Sequence, residues 1–271
     1  KLLAVDESSR DRALDQLDMI VSDLPAHEGA VSEIERLLDD PEHKQRVIDL
    51  LRPIYRQAES WMGLIKLNEE RLTLAEDSLD KVDVLNDTAI LWEDQLGQPE
   101  DAFAVMRQAL ELAPDSEDVR ANLERLAENL GEWEALADSY DAAASKVDDD
   151  FVKRPLLNGL ANICDEQLDD PRRALGALRK VSALDPADDE ALDRTDTLCM
   201  LLSDWELLVK VLQQKAENAS SDGDRAELLG RLGGIKRDML LDDDGAIEIY
   251  ERALDLSPES TRSLDHLIDL Y

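Results

Sequence analysis

Three of the chain's four tryptophans recur at a constant interval of 72 residues. They are Trp61, Trp133 and Trp205, since 133 − 61 = 72 and 205 − 133 = 72. Each stands at the same place in an apolar segment, in AESWMGLIKLN, LGEWEALADSY and LLSDWELLVKVL. A bulky side chain that returns at one spacing indicates a structural unit repeated along the chain, and this repeat limits what the chain can fold into.

An alanine position and a proline position keep the same interval, which makes a chance spacing of the tryptophans a poor explanation. The residues are Ala102, Ala174 and Ala246 for the alanine, and Pro114, Pro186 and Pro258 for the proline.

Each repeated unit is predicted to contain four helices. QPEDAFAVMRQALELA carries its apolar residues on one helical face and ends at Pro114. The next segment is predicted to begin with Asp115 as N-cap and to end at Gly131, and Ser203 with Glu206 suggests a capping box one unit later. Joints this short make consecutive helices antiparallel neighbours, so each unit is two helical hairpins.

The composition agrees with an all-α fold. Hydrophobic residues make up 43% of the chain but aromatic residues only 4%, so the core is expected to consist mainly of Leu, Ala, Ile and Val. Residues of high helix propensity dominate, and β-branched residues do not alternate with polar ones.

The hairpins resemble tetratricopeptide repeats. GAIEIYERALDLSP has the spacing Ala246-x3-Tyr250-x2-Ala253-x4-Pro258, which is similar to the second helix of that repeat, and earlier copies end at Pro114 and Pro186. The resemblance extends from about residue 11 to 271. It implies a right-handed α-solenoid of stacked antiparallel hairpins, and a protein–protein interaction role without catalysis.

The amino-terminal third departs from the pattern. Pro25 and Pro114 are 89 residues apart, 17 more than the period, and the excess fits an extra helix at about 27–39. Pro53 predicts a kink or break. We therefore expect divergent repeats in residues 1–96 and regular repeats in 97–271, within one continuous solenoid. Because the sequence begins at Lys1 without methionine, we expect an excerpt of a longer chain.

The recurring tryptophans are predicted to fill the gaps between adjacent hairpins. Burying one indole removes roughly 150–250 Å² from water. On that basis, Trp133→Ala is expected to cost about 3–5 kcal/mol.

The formal net charge of −34 bears on the choice of partner. Nucleic acid is excluded because no Lys/Arg stripe is present to offset like-charge repulsion. A neutral or basic protein or peptide is favoured, although adaptation to high salt is an alternative reason for the acidity. No apolar run reaches the length of a membrane span, so we expect no direct membrane insertion and a soluble protein. The sequence leaves the compartment open and favours the cytoplasm.

Catalytic, metal and cofactor sites have no candidate set in this sequence. His27, His43 and His266 do not share a helix face, and Cys164 and Cys199 are interpreted as small buried hydrophobes. The aspartate runs 148–150 and 242–244 lack EF-hand spacing and are interpreted as helix caps.

A candidate partner groove follows from the resemblance, since the first helices of such hairpins line a concave surface. A second apolar stripe recurs on these helices, and polar or small residues lie beside it. The stripe comprises Val84, Leu91, Leu156, Ile163, Leu228 and Ile235; the neighbours are Asp87, Asp94, Gly159, Glu166, Arg231 and Asp238, with Asn122 and Arg125 on the intervening hairpins. The alternative is that these side chains only pack between helices.

The predicted function is a non-catalytic scaffold or adaptor that holds a partner in this groove. A self-assembling structural array and a regulatory segment of a larger enzyme are the alternatives. SLDHLIDLY aligns with NLERLAENL but has no partner helix after it, so self-association through the carboxyl end is also expected. The basic clamp with which some family members hold acidic tails is not apparent.

Overall fold

The computed structural model describes residues 7–25, 27–259 and 261–271, and their regular structure is entirely helical. The helices are α1 (Glu7–Asp23), α2 (Glu28–Glu35), α3 (Lys44–Gln57), α4 (Trp61–Leu74), α5 (Ser78–Ile90), α6 (Pro99–Leu112), α7 (Glu117–Leu130), α8 (Trp133–Lys146), α9 (Asp150–Asn162), α10 (Pro171–Leu184), α11 (Asp189–Leu202), α12 (Trp205–Asn218), α13 (Asp222–Asp238), α14 (Asp243–Leu256) and α15 (Thr261–Leu270). Helices α5 and α9 each continue into a π-helical turn, Leu91–Gln95 and Ile163–Gln167. The all-α fold class is confirmed.

The 72-residue period governs where helices begin. Helices α4, α8 and α12 start with the three tryptophans. The other three helices of each 72-residue repeat also start 72 residues apart: α5, α9 and α13; α6, α10 and α14; α7, α11 and α15. The prediction of four helices per unit is confirmed. The period is already regular from Trp61, which is earlier in the chain than the predicted change at 96/97.

The helices form two compact units, Lys1–Glu132 and Trp133–Tyr271. The first, unit 1, has a core formed by side chains from α1 to α4, including Leu14, Ile34 and Leu51. Ile34 belongs to α2, so the predicted extra helix exists and contributes to the core. In the second, unit 2, Tyr140 and Tyr250 are the largest fully buried side chains. The predicted boundary at 96/97 falls inside unit 1, between α5 and α6.

Two backbone positions in every period adopt the left-handed conformation. One position is occupied by Glu59, Gly131 and Ser203, with φ of 51°, 73° and 56°; the other by Gly97, Asp169 and Leu241, with φ of 63°, 51° and 55°. At the first position the following N–H closes onto a carbonyl five residues back, as in Ser60 N to Tyr55 O at 2.8 Å. This Schellman-type closure ends the helix, so the joints repeat as regularly as the helices.

The tryptophans are half-buried in all three copies. Each is the first residue of its helix, where the ring lies at the hairpin joint. A helix-end position leaves part of each indole in contact with solvent, so a loss of about 3–5 kcal/mol, which applies to a fully buried ring, is an upper limit for Trp133→Ala. The residues that fill the interior completely are tyrosines and leucines.

The helix caps confirm some sequence predictions and correct two. Gly131 ends α7 in the left-handed conformation, and Asp149 and Asp242 cap α9 and α14 as expected. Ser116, not Asp115, accepts the hydrogen bond from Val119 N at 3.3 Å. The predicted capping box at Ser203 is also wrong.

The structure also shows the positions of Ser203, from the predicted capping box, and of Pro53. Ser203 ends α11 with positive φ, and Asp204 is the N-cap of α12, accepting from Leu207 N at 3.2 Å. Pro53 lies inside α3, which runs without a break from Lys44 to Gln57. The predicted break at this proline is therefore wrong.

Candidate functional site

The predicted groove residues divide by burial into three groups. Val84, Leu156 and Ile163 are at most 6% exposed, so they pack within the core, as the alternative interpretation expects. Leu91, Leu228, Ile235 and Gly159 are half-buried. The charged and amide positions are all exposed: Asp87, Asp94, Asn122, Arg125, Glu166, Arg231 and Asp238.

Several of the exposed charges already have partners on neighbouring helices. Arg125 donates two hydrogen bonds to Glu93, at 2.6 and 2.7 Å. This bidentate contact lowers the pKa of Glu93 and raises the pKa of Arg125, and in both groups it outweighs the effect of burial. Asp238 pairs with Arg237 next to it. The Arg125–Glu93 contact joins α7 to the π-helical turn after α5, whereas Arg237 and Asp238 pair within α13. Both contacts leave fewer free charges than the sequence suggests.

Two predicted residues, Asp87 and Leu91, line a cavity of about 260 Å³ in unit 1, which we call the unit 1 cavity. Helices α3, α4 and α5 form its walls. The wall residues are Arg52, Arg56, Trp61, Leu64, Asn68, Asp87, Ile90, Leu91 and Gln95. Ile90 is 53% exposed, so an apolar surface is open to an incoming side chain.

Arginines dominate the charge at this cavity. Arg52 and Arg71 each donate to Asp87 at 3.2 Å, and Arg56 has no ion-pair partner among the described residues. The pKa of Arg52 is lowered by burial and by the nearby positive charge of Arg71. Among the wall residues of the cavity there are thus two guanidinium groups and one carboxylate, so the wall is locally positive within a chain of net charge −34.

An amide network fixes one wall of the unit 1 cavity. Asn68, which is 3% exposed, donates to Thr88 Oγ1 at 3.0 Å and accepts from Arg71 at 3.0 Å. Because both amide atoms are engaged, Arg71 is held in the orientation that reaches Asp87. This network therefore holds Asn68, one wall residue of the cavity, in a fixed orientation.

Two of the same three positions exchange the sign of their charge two periods later, and the third stays positive. Adding 144 to residues 52, 71 and 87 gives Asp196, Lys215 and Arg231. Here Asp196 accepts two hydrogen bonds from Arg231 and one from Lys215, all at 3.0 Å. Burial raises the pKa of Asp196, but these hydrogen bonds outweigh burial and hold that pKa below its ordinary value.

The two triads differ in exposure, and this difference separates their roles. The Asp196 side chain is 9% exposed, whereas that of Asp87 is 49% exposed. The triad of unit 2 therefore fixes α11, α12 and α13 to each other. The triad of unit 1 remains open to solvent at the cavity.

Sequence reasoning missed Arg52, Arg56 and Arg71 as site residues. They lie on helices that were not assigned to the groove. The two triads can be found in the sequence by comparing the charges of residues that are 72 or 144 positions apart. Trp61 was found as a repeat position but not as a wall of the cavity.

The residues that most resemble reactive or metal-binding groups are already engaged or buried. Burial raises the pKa of both Cys164 and Cys199 to about 11, so both remain thiols at neutral pH. Asp40, Glu42 and His43 bring one potential ligand atom each within 4.8 Å. However, Arg10 donates to Asp40 at 2.8 Å and supplies the positive charge that a metal ion would bring. Within the described ranges, no helix combines the length and apolarity that crossing a membrane requires.

The fold and repeat define the class of protein: an array of helical hairpins. The tetratricopeptide repeat family model matches residues 93–116, which comprise part of the π-helical turn, α6 and the residues up to Ser116. The match covers these residues, and α10 and α14 begin 72 and 144 residues after α6.

Solved structures with a similar arrangement have low sequence identity to this chain. YrrB, titled a TPR protein with an unusual peptide-binding site, is 17% identical over 67% of this chain and 89% of its own, with a TM-score of 0.35. The structure of Naa15/Naa10 bound to HypK is 16% identical over 96% of this chain and 39% of its own, with a TM-score of 0.40. Pseudomonas aeruginosa PilF is 15% identical over 84% of this chain and 98% of its own, with a TM-score of 0.34. No match was found among curated protein sequences.

Proposed function

We propose that this chain is a non-catalytic scaffold that binds a segment of a partner protein, and that the unit 1 cavity holds one of its side chains. The observation that carries the proposal is the cavity itself, where exposed Ile90, half-buried Leu91 and Trp61 surround an opening beside Arg52 and Arg56. Binding sites of this kind combine an apolar surface with a few oriented polar groups.

The chemistry of the walls describes the bound segment. An apolar side chain of the partner contacts Trp61, Leu64 and Ile90. An extended backbone offers carbonyl oxygens, and the guanidinium group of Arg56 is a free donor for them. A neutral peptide satisfies these requirements, and the net charge of −34 favours a neutral or basic partner as a whole.

The proposed groove does not use every residue that the sequence suggested. Asp87 and Leu91 line the cavity, and Asp94 is exposed one helical turn beyond Leu91. Arg231 belongs to a triad that fixes unit 2, and Gly159 packs against Tyr140, so both have structural roles that need no partner.

Site-specific photo-crosslinking tests the proposal. A photoreactive amino acid replaces Ile90 on the cavity wall, and in a second protein it replaces Met62, which is 47% exposed but is not part of the wall. We expect one partner to be captured from position 90 and not from position 62. Trp61→Ala should reduce the capture at least tenfold by removing a wall of the cavity.

Two outcomes would contradict the proposal. One is capture of the same proteins from both positions, which would indicate non-specific contact. The other is unchanged capture after Trp61→Ala in a protein whose helix content is shown by circular dichroism to be intact.

A further inference from the structure

Unit 2 contains two cavities at repeat-equivalent positions. The first, of about 390 Å³, is lined by Lys153, Leu157, Lys180 and Leu184 among others, and we call it the lysine cavity. The second, of about 610 Å³, is lined at the positions 72 residues later by Arg225, Leu229, Arg252 and Leu256. Both places therefore combine two cations with two leucines.

The two cavities differ in the charge of their remaining wall residues. Glu217 and Asp255 line the larger cavity, where their charges oppose the two arginines. Ser145 and Ala183 occupy the same positions in the lysine cavity, whose walls include no acidic residue. Lys180 pairs with Asp141 at 2.8 Å, and Lys153 has no ion-pair partner among the described residues. The lysine cavity is thus the one that favours an apolar group flanked by carboxylates.

An apolar group of this kind is present on the surface of the same unit. Phe151, in the first turn of α9, is 83% exposed, whereas Phe103 is 5% exposed. Asp149 and Asp150 precede Phe151 directly, and both are exposed. Asp149 accepts from Phe151 N through one carboxylate oxygen, so its other oxygen remains available.

We propose that two copies of this chain associate by exchanging Phe151. The ring of Phe151 in each copy enters the lysine cavity of the other copy. Asp149 and Asp150 then face Lys153 and Lys180 of that copy. This complementarity of charge and polarity selects a second copy as the occupant.

The position of the two features makes the contact mutual. Phe151 and Lys153 both belong to the first turn of α9, and the cavity residues Ser145 and Leu184 lie at the C-terminal ends of α8 and α10, so the inserting ring and the receiving cavity lie at the same end of these helices. A surface that both gives and receives forms an isologous contact, which closes after two copies instead of continuing into a polymer. The resulting species is a dimer.

The dimer is expected to be weak. Two copies that each carry a charge of −34 are screened from one another at long range, but they repel once they approach within the Debye length, which is about 8 Å at physiological ionic strength. A small contact belongs to the transient class of interfaces, for which a dissociation constant of about 10⁻⁴ M is a reasonable expectation.

Sedimentation velocity of the whole chain across about 10⁻⁵ to 10⁻³ M tests the proposal. The sedimentation coefficient should rise toward the dimer value and no further, and Phe151→Asp should weaken association at least tenfold. Leu79→Asp is the matched control, because Leu79 is 72% exposed at the position 72 residues earlier. It should leave association unchanged. A monomer at all concentrations, growth beyond the dimer, or an equal effect of both substitutions would overturn the proposal.

A complementation experiment tests the exchange directly. Phe151→Asp retains the cavity and loses the inserting ring, whereas Lys180→Glu retains the ring and alters the cavity. Each variant alone should associate at least tenfold more weakly than the wild type, and their mixture, which keeps one intact contact, should form heterodimers more readily than either variant forms homodimers. Absence of heterodimers, in variants with wild-type melting temperatures, would refute mutual exchange. Neither residue lines the unit 1 cavity, so this result does not depend on the proposed partner site.

Discussion

Gly159 lies directly against the ring of Tyr140. A Cβ atom built on Gly159 would lie 2.5 Å from Cε2 of Tyr140, closer than packed atoms come. Tyr140 is fully buried, so its ring has little room to move away. This contact joins α8 to α9 and explains why a glycine stands in the middle of a helix, where it otherwise lowers stability.

Gly159→Ala is therefore expected to destabilise the chain by about 1–3 kcal/mol, through overpacking against Tyr140. Gly176→Ala is the matched control, because nothing lies within 4 Å of the added methyl group and the position is inside α10. It should stabilise by about 0.5–1 kcal/mol. Urea unfolding measures both, and equal effects of the two substitutions would contradict the packing argument.

Tyrosine 140 should matter more for stability than the tryptophan that marks the repeat. Tyr140→Ala removes a fully buried ring and is expected to cost about 3–5 kcal/mol. Trp133→Ala removes a half-buried ring and should cost about 2 kcal/mol, because part of that ring already contacts water. Thermal or urea unfolding of the two variants gives the order, and a larger loss for Trp133→Ala would show that the ring is more buried than described.

The residues with left-handed backbone conformation at the helix joints allow a prediction for single surface substitutions. Leu241 has φ of 55°, and an L-residue with a side chain is strained there by about 1–2 kcal/mol. Leu241→Gly relieves this strain but increases the entropy of the unfolded chain, so a net stabilisation of about 0.5 kcal/mol is expected. Gly97→Ala, at the equivalent position, should destabilise by about 1 kcal/mol. Changes of the same sign in both variants would contradict this interpretation.

The two charge triads should respond differently to removal of their carboxylate. Asp196→Ala removes the carboxylate partner of Arg231, whereas Lys215 keeps Asp193 at 2.7 Å, and a loss of about 1–3 kcal/mol is expected. Asp87→Ala removes an exposed carboxylate and should cost less than about 1 kcal/mol. Chemical unfolding measures both losses. A small effect of Asp196→Ala would show that solvent reaches this triad.

Asp40 makes stability depend on pH in the acid range. Burial raises its pKa, but hydrogen bonds from His43 at 3.0 Å and Arg10 at 2.8 Å outweigh burial and hold the pKa below its ordinary value. A carboxyl group whose pKa is lower in the folded state stabilises the fold above its unfolded pKa of about 3.9. This contribution is lost as the pH falls through the folded pKa.

Asp40→Asn is expected to lower stability at neutral pH and to reduce the slope of stability against pH below about pH 4. Melting temperatures of the wild type and the variant, measured at a series of pH values, test this expectation. Parallel curves for the two proteins would show that Asp40 does not supply the dependence.

The repeat determined how much of the fold was predictable. Trp61, Trp133 and Trp205 marked the starts of three helices, and the proline spacing revealed the extra helix α2. The exposed fraction of each tryptophan ring could not be predicted from the sequence, because a periodic tryptophan marks a joint but does not show how much of its ring the joint covers. Ser203 illustrates a second difficulty, since serine is a common N-cap but here ends the preceding helix in the left-handed conformation.

The candidate site was predictable only in part. Asp87 and Leu91 lie on a first helix and were found from their position on one face. Arg52 and Arg56 reach the same cavity from α3, which precedes the regular period, so they follow from helix packing and not from a pattern along one helix. Val84 and Leu156 share the face of the predicted stripe but are covered by neighbouring helices.

The regular placing of the left-handed residues has a consequence for how such a chain changes its length. Gly131 and Ser203 each precede one linker residue and a helix that begins with tryptophan. Excision of residues 132–203 would connect Gly131 to Asp204 and recreate the same succession of backbone conformations. A chain built in this way can lose or gain a whole period by recombination at the joint, and no new turn has to evolve.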